Sequence, residues 1–185
     1  MPFLIIAGAL IILASVLYNI LVAKKNQVNN ALATIKVWLK NRYDLIPNLV
    51  ATVQEYMQYE RETLSQITEL RAKASCEQLS DNQRIELENK VSRLLGGIMV
   101  AVENYPELKA NQNFLQLQAV LNEIEEQIST ARRDYNAAVT DLNNAIEMFP
   151  TNILASLINL EKRELLEIPE QQQQGLKVKD LFAQK

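Results

Sequence analysis

The side chains that could do chemistry in this chain are carboxylates, and the most unusual of them is Glu60. It lies on an otherwise apolar helical stripe, seven residues after Val53 and seven before Ile67. An inward carboxylate must be paired or must reach solvent, and one carboxylate without a histidine or a second inward acid makes a poor catalytic site. We therefore interpret Glu60 as half of an ion pair that fixes the register of neighbouring helices.

Two arginines could supply the other half of this pair. Arg42 falls on the apolar seven-residue series of the first predicted helix, and Arg132 flanks the apolar stripe of a later helix. Arg42 and Glu60 would diverge in an antiparallel hairpin, so Arg132 is the preferred partner. The acidic cluster of the later helix spreads over its outer face and is predicted to be solvated; its members are Glu123, Glu125 and Glu126.

The composition excludes several classes of site. Among 185 residues there is no histidine and one cysteine, Cys76. The missing histidine removes the commonest zinc ligand, the usual general base and the Glu-x-x-His signature of di-iron bundles. Gly96 and Gly97 lie inside a helical pattern, which is not the context of a phosphate loop, and are expected to allow close helix approach or a kink. We predict no cofactor, no metal, no small-molecule substrate and no enzymatic activity.

The first 23 residues contain no charged side chain and are predicted to form a transmembrane helix, because about 20 apolar residues cross a hydrocarbon layer of ~30 Å. The run is too long for a signal peptide and has no basic residue before it. Lys24 and Lys25 follow directly, so the positive-inside rule predicts a single-pass protein whose soluble part faces the cytoplasm. These lysines either only determine topology or also hold anionic lipid headgroups.

Apolar residues at helical spacing continue through the rest of the chain and predict an all-α fold, an antiparallel bundle of four long helices after the transmembrane helix. The first helix should run to about Asp44 and stop at Pro47. A second is predicted over 49–74. The third should open at the capping box 80–83 and end at Tyr105 and Pro106, and the fourth should span ~36 residues from Phe114. The predicted domains are 1–23, 24–158 and a partly disordered tail, 159–185.

Polar residues at two places are candidate structural or interaction sites. The segment from Asp44 through Pro47 to Asn48 is interpreted as a helix stop, a turn and a restart, with partner docking at the distal tip of the bundle as the alternative. Within the fourth helix, interhelical hydrogen bonds, in preference to ligand binding, are predicted for Asn136, Asn143 and Asn144, and the neighbouring Tyr135 is a further structural or interaction candidate.

The short apolar stretch 152–158 has two open interpretations. It could lie against the bilayer as a second attachment, or it could fold back to cap the open end of the bundle. The four glutamines at 171–174 are interpreted as a solvated linker.

Three sequence blocks, in order, resemble the LemA family. They are Lys40-Asn-Arg-Tyr-Asp-Leu-Ile-Pro-Asn-Leu-Val50; Tyr105-Pro-Glu-Leu-Lys-Ala-Asn with Phe114-Leu-Gln-Leu-Gln118; and Ala131-Arg-Arg-Asp-Tyr-Asn-Ala-Ala-Val139 with Leu142-Asn-Asn and Phe149-Pro. The resemblance implies a single-pass bacterial membrane protein with a helical bundle and no established enzymatic activity. It also implies that some relatives are associated with internal membranes and others lie near membrane proteases.

The leading functional prediction is a membrane-anchored scaffold or protein-interaction module in the bacterial inner or an internal membrane. Its partners would be the bilayer and either a protein or a second copy of the chain. The alternative is an adaptor or regulator of a membrane-bound protease or transporter. Nucleic-acid binding is not expected, because the basic run near residue 24 is short and lacks stacking aromatics.

Overall fold

The architecture is all-helical, as predicted. A computed structural model describes residues 2–57, 59–74 and 81–166, and no strand occurs among them. In chain order the helices are α1 (Pro2–Val53), α2 (Arg61–Ala74), α3 (Asp81–Ala101), a 3-10 turn (Val102–Asn104), α4 (Pro106–Lys109), α5 (Gln112–Glu147) and α6 (Thr151–Leu157).

The chain divides into two compact units that share the two longest helices. One unit combines Met1–Val37 with Ile128–Lys185, and the other is Trp38–Gln127. α1 and α5 each contribute residues to both units. The inward stripe of α5 repeats at three- and four-residue spacing, which confirms the apolar periodicity of the fourth predicted helix; its buried members include Leu121, Ile124, Ile128, Ala131, Tyr135, Ala138 and Leu142.

The prediction that Pro47 ends the first helix is wrong. α1 passes through Pro47 and continues to Val53. A proline inside a helix cannot donate to the carbonyl four residues earlier, and that carbonyl belongs to Tyr43. Arg71 Nε of α2 donates to the Tyr43 carbonyl oxygen at 3.0 Å. A side chain from the neighbouring helix thus satisfies the acceptor that Pro47 leaves free, and the exposed ring of Pro47 lies toward solvent.

Asp44 and Asn48 are consequently exposed helical residues and not parts of a turn. Asp44 forms an ion pair with Lys40 one helical turn earlier, at 2.5 Å. The carbonyl of Asn48 accepts a hydrogen bond from the Thr52 hydroxyl at 2.8 Å. The connection between α1 and α2 instead occupies 54–60, so the second predicted helix begins at Arg61 and not near residue 49.

The Pro47 and Arg71 pair yields a thermodynamic prediction. Arg71→Met should lower the free energy of unfolding by about 1.5–3 kcal/mol, because a charged donor to a backbone carbonyl is lost. The loss should be smaller in a Pro47→Ala background, where the restored N–H can bond the Tyr43 carbonyl. Urea unfolding of the four proteins in detergent micelles, followed by circular dichroism, measures the coupling. Lys73→Met at an exposed neighbouring position is the control, and additive effects of Pro47→Ala and Arg71→Met would contradict the pairing.

The corner between α3 and α5 follows the predicted proline break. α3 ends at Ala101, and Pro106 occupies the first turn of α4, where its missing N–H costs nothing. Asn111 then caps α5, since its Oδ1 accepts the N–H groups of Asn113 at 2.9 Å and Phe114 at 3.2 Å. α5 has the predicted length of 36 residues. Of the predicted capping box, Ser80 lies outside the described residues; α3 begins at Asp81.

The glycines of α3 do not serve close helix packing. Gly96 and Gly97 are exposed, and a Cβ built on either would meet no atom within 4 Å. The expectation of close approach at this pair is therefore wrong for the described part of the chain.

The C-terminal stretch begins with a short helix, α6, as the apolar segment 152–158 suggested. Ala155 is buried, whereas Ile153 and Leu157 are 57% and 73% exposed. Asn159 has a positive φ of 49°, and the Leu160 N–H bonds the Ala155 carbonyl at 2.9 Å, a Schellman-type helix end. Residues 161–166 follow without helical structure. The glutamines 171–174 lie outside the described residues.

Candidate functional site

A buried arginine organises a polar cluster inside the unit 38–127. Arg42 of α1 is 0% exposed. Its Nη1 donates to Ser92 Oγ of α3 at 2.9 Å and to Glu125 Oε1 of α5 at 2.7 Å, and its Nη2 donates to Glu88 Oε2 of α3. One guanidinium therefore connects three helices through two carboxylates and a hydroxyl.

Tyr43, next to Arg42 in sequence, completes the arginine cluster. Its hydroxyl donates to Oε1 of Glu88, so both oxygens of this buried carboxylate accept hydrogen bonds. The Arg42 guanidinium lies 5.7 Å from the centroid of the Tyr43 ring, within the range of a cation–π contact. Arg42 Nε has no acceptor among the described residues. The arginine cluster is thus Arg42, Tyr43, Glu88, Ser92 and Glu125.

The electrostatics hold Arg42 and Tyr43 in single charge states. Burial would lower the pKa of Arg42, but the attraction of Glu125 and Glu88 outweighs it and raises that pKa. Burial also raises the pKa of Tyr43, and the neighbouring Glu88 carboxylate adds to the effect. Arg42 therefore stays cationic and Tyr43 stays neutral. A general acid or base must exchange its proton near the working pH, and neither group can.

The raised pKa of Tyr43 predicts a loss of stability in alkali. The fold favours the protonated phenol, so this contribution is fully present below the ordinary tyrosine pKa of about 10 and is lost as the pH rises above it. The free energy of unfolding should therefore fall more steeply above about pH 10 in the unmodified protein than in Tyr43→Phe. Urea titrations from about pH 8 to 11 measure both slopes. Tyr59→Phe, at a tyrosine 93% exposed, should keep the steep slope, and equal slopes for Tyr43→Phe would contradict the assignment.

Sequence reasoning identified Arg42 and missed its partners. Glu88 lies three and seven residues before the buried Val91 and Leu95, so it shares a helical stripe with apolar residues as Glu60 does, and this signal could have located it. The prediction of a solvated Glu125 is wrong, because its side chain is 35% exposed and pairs with Arg42. Glu123 and Glu126 are exposed, as predicted.

Glu60 is half-buried and has a neutral partner. Its Oε2 accepts a hydrogen bond from the Tyr105 hydroxyl at 2.8 Å, and this bond raises the pKa of Tyr105. Nearby in the chain, the Tyr56 hydroxyl accepts from Asn111 Nδ2 at 3.2 Å. These two bonds connect the 54–60 segment to the corner before α5. The pairing of Glu60 with Arg132 stays a prediction.

A second polar site lies in the other unit, on α5. The side-chain amide of Asn136 donates to the Leu166 carbonyl and accepts from the Leu166 N–H, both at 2.9 Å. The side-chain amide of Asn143 likewise donates to the Arg163 carbonyl at 2.9 Å and accepts from the Arg163 N–H at 3.0 Å. We call Asn136 and Asn143 the asparagine ladder.

The asparagine ladder corrects the prediction of interhelical bonds for Asn136 and Asn143. Both side chains bind the backbone of the non-helical segment after α6. Lys162 of this segment also pairs with Glu147 of α5. Asn144 is exposed, Tyr135 is buried with 7% of its surface accessible, and Arg132 is half-buried.

The two lysines after the apolar run differ in their surroundings. Lys24 Nζ lies 2.5 Å from Asp141 of α5, whereas Lys25 is exposed. The charge of Lys24 is thus already paired within its unit. Of the two lysines predicted to contact lipid headgroups, the exposed Lys25 fits that prediction better. Among the described residues no three histidine, cysteine or acidic side chains are grouped so that they could hold a metal ion.

The fold and these sites define a class, an all-helical protein whose N-terminal helix is long and apolar enough to cross a membrane and whose helices are connected through a buried arginine. The family model that matches residues 31–179 is that of the LemA family. The chain belongs to the LemA family, as its sequence blocks predicted.

Three relatives illustrate the family. The chain is 30% identical over 142 residues to Protein LemA of Metamycoplasma hominis, which covers 77% of this chain and 65% of that protein. It is 36% identical over 70 residues to Magnetosome protein MamQ 2 of Paramagnetospirillum magneticum, and 29% identical over 70 residues to Magnetosome protein MamQ of Magnetospirillum gryphiswaldense; each match covers 38% of this chain and 26% of the relative. The chain therefore spans less than two thirds of the length of these relatives. Neither the family description nor these names denote an enzymatic activity.

Proposed function

We propose that the protein is a membrane-anchored helical scaffold, a single-pass protein that presents an interaction module and catalyses no reaction. The observation that carries the proposal is the continuity of α1. Its first part is apolar and exposed, from Phe3 at 79% to Ile20 at 42%, and from Leu21 onward one face of the same helix is buried, with Leu21 at 0%, Val28 at 2% and Ile35 at 4%. An exposed apolar helix of this length is suited to a bilayer, and the packed remainder is suited to water.

The orientation follows from charge. Lys24 and Lys25 flank the apolar run on one side, and the positive-inside rule supports a cytoplasmic position for the helical units. A cysteine placed at the exposed Glu86 in a Cys76→Ser variant should react with a membrane-impermeant maleimide after permeabilisation of the cells. Reaction of this cysteine in intact cells would contradict the cytoplasmic orientation.

Charges in the middle of the apolar run should release the protein from membranes. Ile11→Arg combined with Ile12→Arg adds two arginines, each costing about 2.5–3.5 kcal/mol at the centre of a transmembrane helix. Alkaline carbonate extraction should leave the unmodified protein in the membrane pellet and move the variant to the supernatant.

The matched control for this experiment carries two arginines at exposed apolar positions outside the run, Val37→Arg with Val100→Arg. These residues are 57% and 73% exposed, and the control should stay in the pellet. Equal retention of both double variants would refute the anchor.

The alternative role, an adaptor or regulator of a membrane-bound protease or transporter, is supported by the asparagine ladder. A pair of amides that binds a peptide backbone is able to hold a segment of another protein as well as the chain's own. The names of the relatives refer to a family and to the magnetosome and do not discriminate between the two candidates.

A further inference from the structure

The asparagine ladder matches the repeat of an extended chain. Asn136 and Asn143 are seven residues apart, which is about 10.5 Å along a helix. Arg163 and Leu166 are three residues apart, which is about 10 Å along an extended strand. Because the two lengths agree, both amides can bond a backbone N–H and a C=O at once, with the peptide antiparallel to α5. A primary amide has both a donor and an acceptor and is suited to this task.

The contacts also define which peptide fits. The four ladder bonds go to backbone atoms and do not depend on the side chains of Arg163 and Leu166. Side-chain selection comes from Lys162, which pairs with Glu147, and from Leu166, which is half-buried whereas Leu165 is 56% exposed. The preferred segment is therefore extended and carries a lysine four residues before an apolar residue.

The segment that occupies the asparagine ladder is held at its Arg163 end through exposed contacts, whereas the Asn136 bonds at its Leu166 end are part-buried. Water competes with the bonds of Asn143 and with the Lys162–Glu147 pair, in which both side chains are 57% exposed, so each contributes little net stability. Ordering the backbone of the segment opposes the bonds. The segment leaves α6 at Asn159, whose φ is positive, a conformation that is uncommon for residues other than glycine.

We propose that the asparagine ladder is a docking site for the 160–166 segment of a second copy of this chain, exchanged between neighbouring copies in the membrane. The inference deepens the proposed scaffold function and rests on it. A second copy carries the same Lys162 and Leu166, so the complementarity seen within one chain is reproduced between chains. Lys24 pairs with Asp141, so the asparagine ladder lies beside the α1 segment that follows the anchor. Every copy thus presents its asparagine ladder at the same distance from the membrane. Confinement in the bilayer raises the effective concentration of the 160–166 segment of one copy near the ladder of another.

A disulfide between differently tagged copies tests the exchange in membranes. Both copies are full-length and carry Cys76→Ser; one has Thr140→Cys, on the α5 face shared by Asn136 and Asn143, and the other has Glu164→Cys in the segment. A mild oxidant should join the two copies. A chain that carries both cysteines is the geometric control, because it should close its own disulfide.

Two variants assign the disulfide to the asparagine ladder. Asn136→Ala with Asn143→Ala in the Thr140→Cys copy should lower the yield several-fold, whereas Asn144→Ala at the exposed neighbouring position should not. Arg163→Pro in the Glu164→Cys copy removes the N–H that donates to Asn143 Oδ1 and leaves α5 unchanged, so it should also lower the yield.

Two outcomes would overturn the exchange. In the first, the geometric control closes while no disulfide forms between copies, which means that the segment stays on its own chain. In the second, the disulfide between copies persists unchanged in the Asn136→Ala, Asn143→Ala and Arg163→Pro variants, which means that association uses another surface. Membrane fractionation of the same samples separates these results from failure of the anchor, which would release the chain from the pellet whatever the disulfide.

Discussion

Arg42→Met should destabilise the protein by roughly 3–5 kcal/mol, the cost of leaving buried charge without its partner. Glu88 is 4% exposed and would retain the Tyr43 hydroxyl as a neutral donor but lose the guanidinium. Ser92 would lose its arginine contact as well. Thermal and urea unfolding of the full chain in detergent micelles, followed by far-ultraviolet circular dichroism, measure the loss.

The double variant Arg42→Met with Glu88→Gln should recover a large part of this loss. Replacing a buried ion pair by uncharged side chains of similar volume is often neutral or stabilising, whereas removing one partner is costly. The coupling between the two substitutions isolates the pair from the effect of altered packing. Losses that simply add would mean that Arg42 acts through its volume and not through its charge.

The matched control is Lys40→Met, two residues before Arg42 and on the exposed face of α1. Lys40 pairs with Asp44 at 2.5 Å, and its side chain is 74% exposed, so solvent screening should hold the loss below about 1 kcal/mol. A loss for Lys40→Met equal to that for Arg42→Met would contradict the role of burial.

Leu21→Ala should cost about 2–5 kcal/mol, the range for truncating a buried leucine that leaves a cavity. Leu21 is 0% exposed although it belongs to the apolar run that the anchor requires. If the helix emerges from the bilayer already packed against its unit, the junction is stiff, and the soluble part cannot swing on a flexible linker.

The neighbouring Ile20 is the control for Leu21. It is 42% exposed, so Ile20→Ala should change the free energy of unfolding by no more than about 0.5 kcal/mol. The melting temperatures of Leu21→Ala and Ile20→Ala in the same micelles show whether the burial of Leu21 stabilises the fold. Equal and small shifts would mean that α1 is unpacked at this junction.

Local sequence signals predicted the elements of this fold that depend on neighbours three and four residues apart. The apolar stripe of α5 needs no partner to be recognised, and the helix has the predicted length of 36 residues. The break at Pro106 was equally local, because a proline in the first turn of a helix needs no distant group. The same signals failed at Pro47, where Arg71, 28 residues from Tyr43, supplies the missing donor.

The sequence by itself determined the all-helical class, the apolar anchor-length run at the N-terminus, the inward position of Arg42 and membership in the LemA family. Only the tertiary structure decided which carboxylates bind Arg42, whether α1 continues through Pro47 and which groups Asn136 and Asn143 bind. The physical reason is that a polar group left without a local partner must be satisfied by whatever the fold brings near. Those partners lie 46 residues away for Glu88, 28 for Arg71 and 30 for Leu166, which is beyond the reach of helical periodicity.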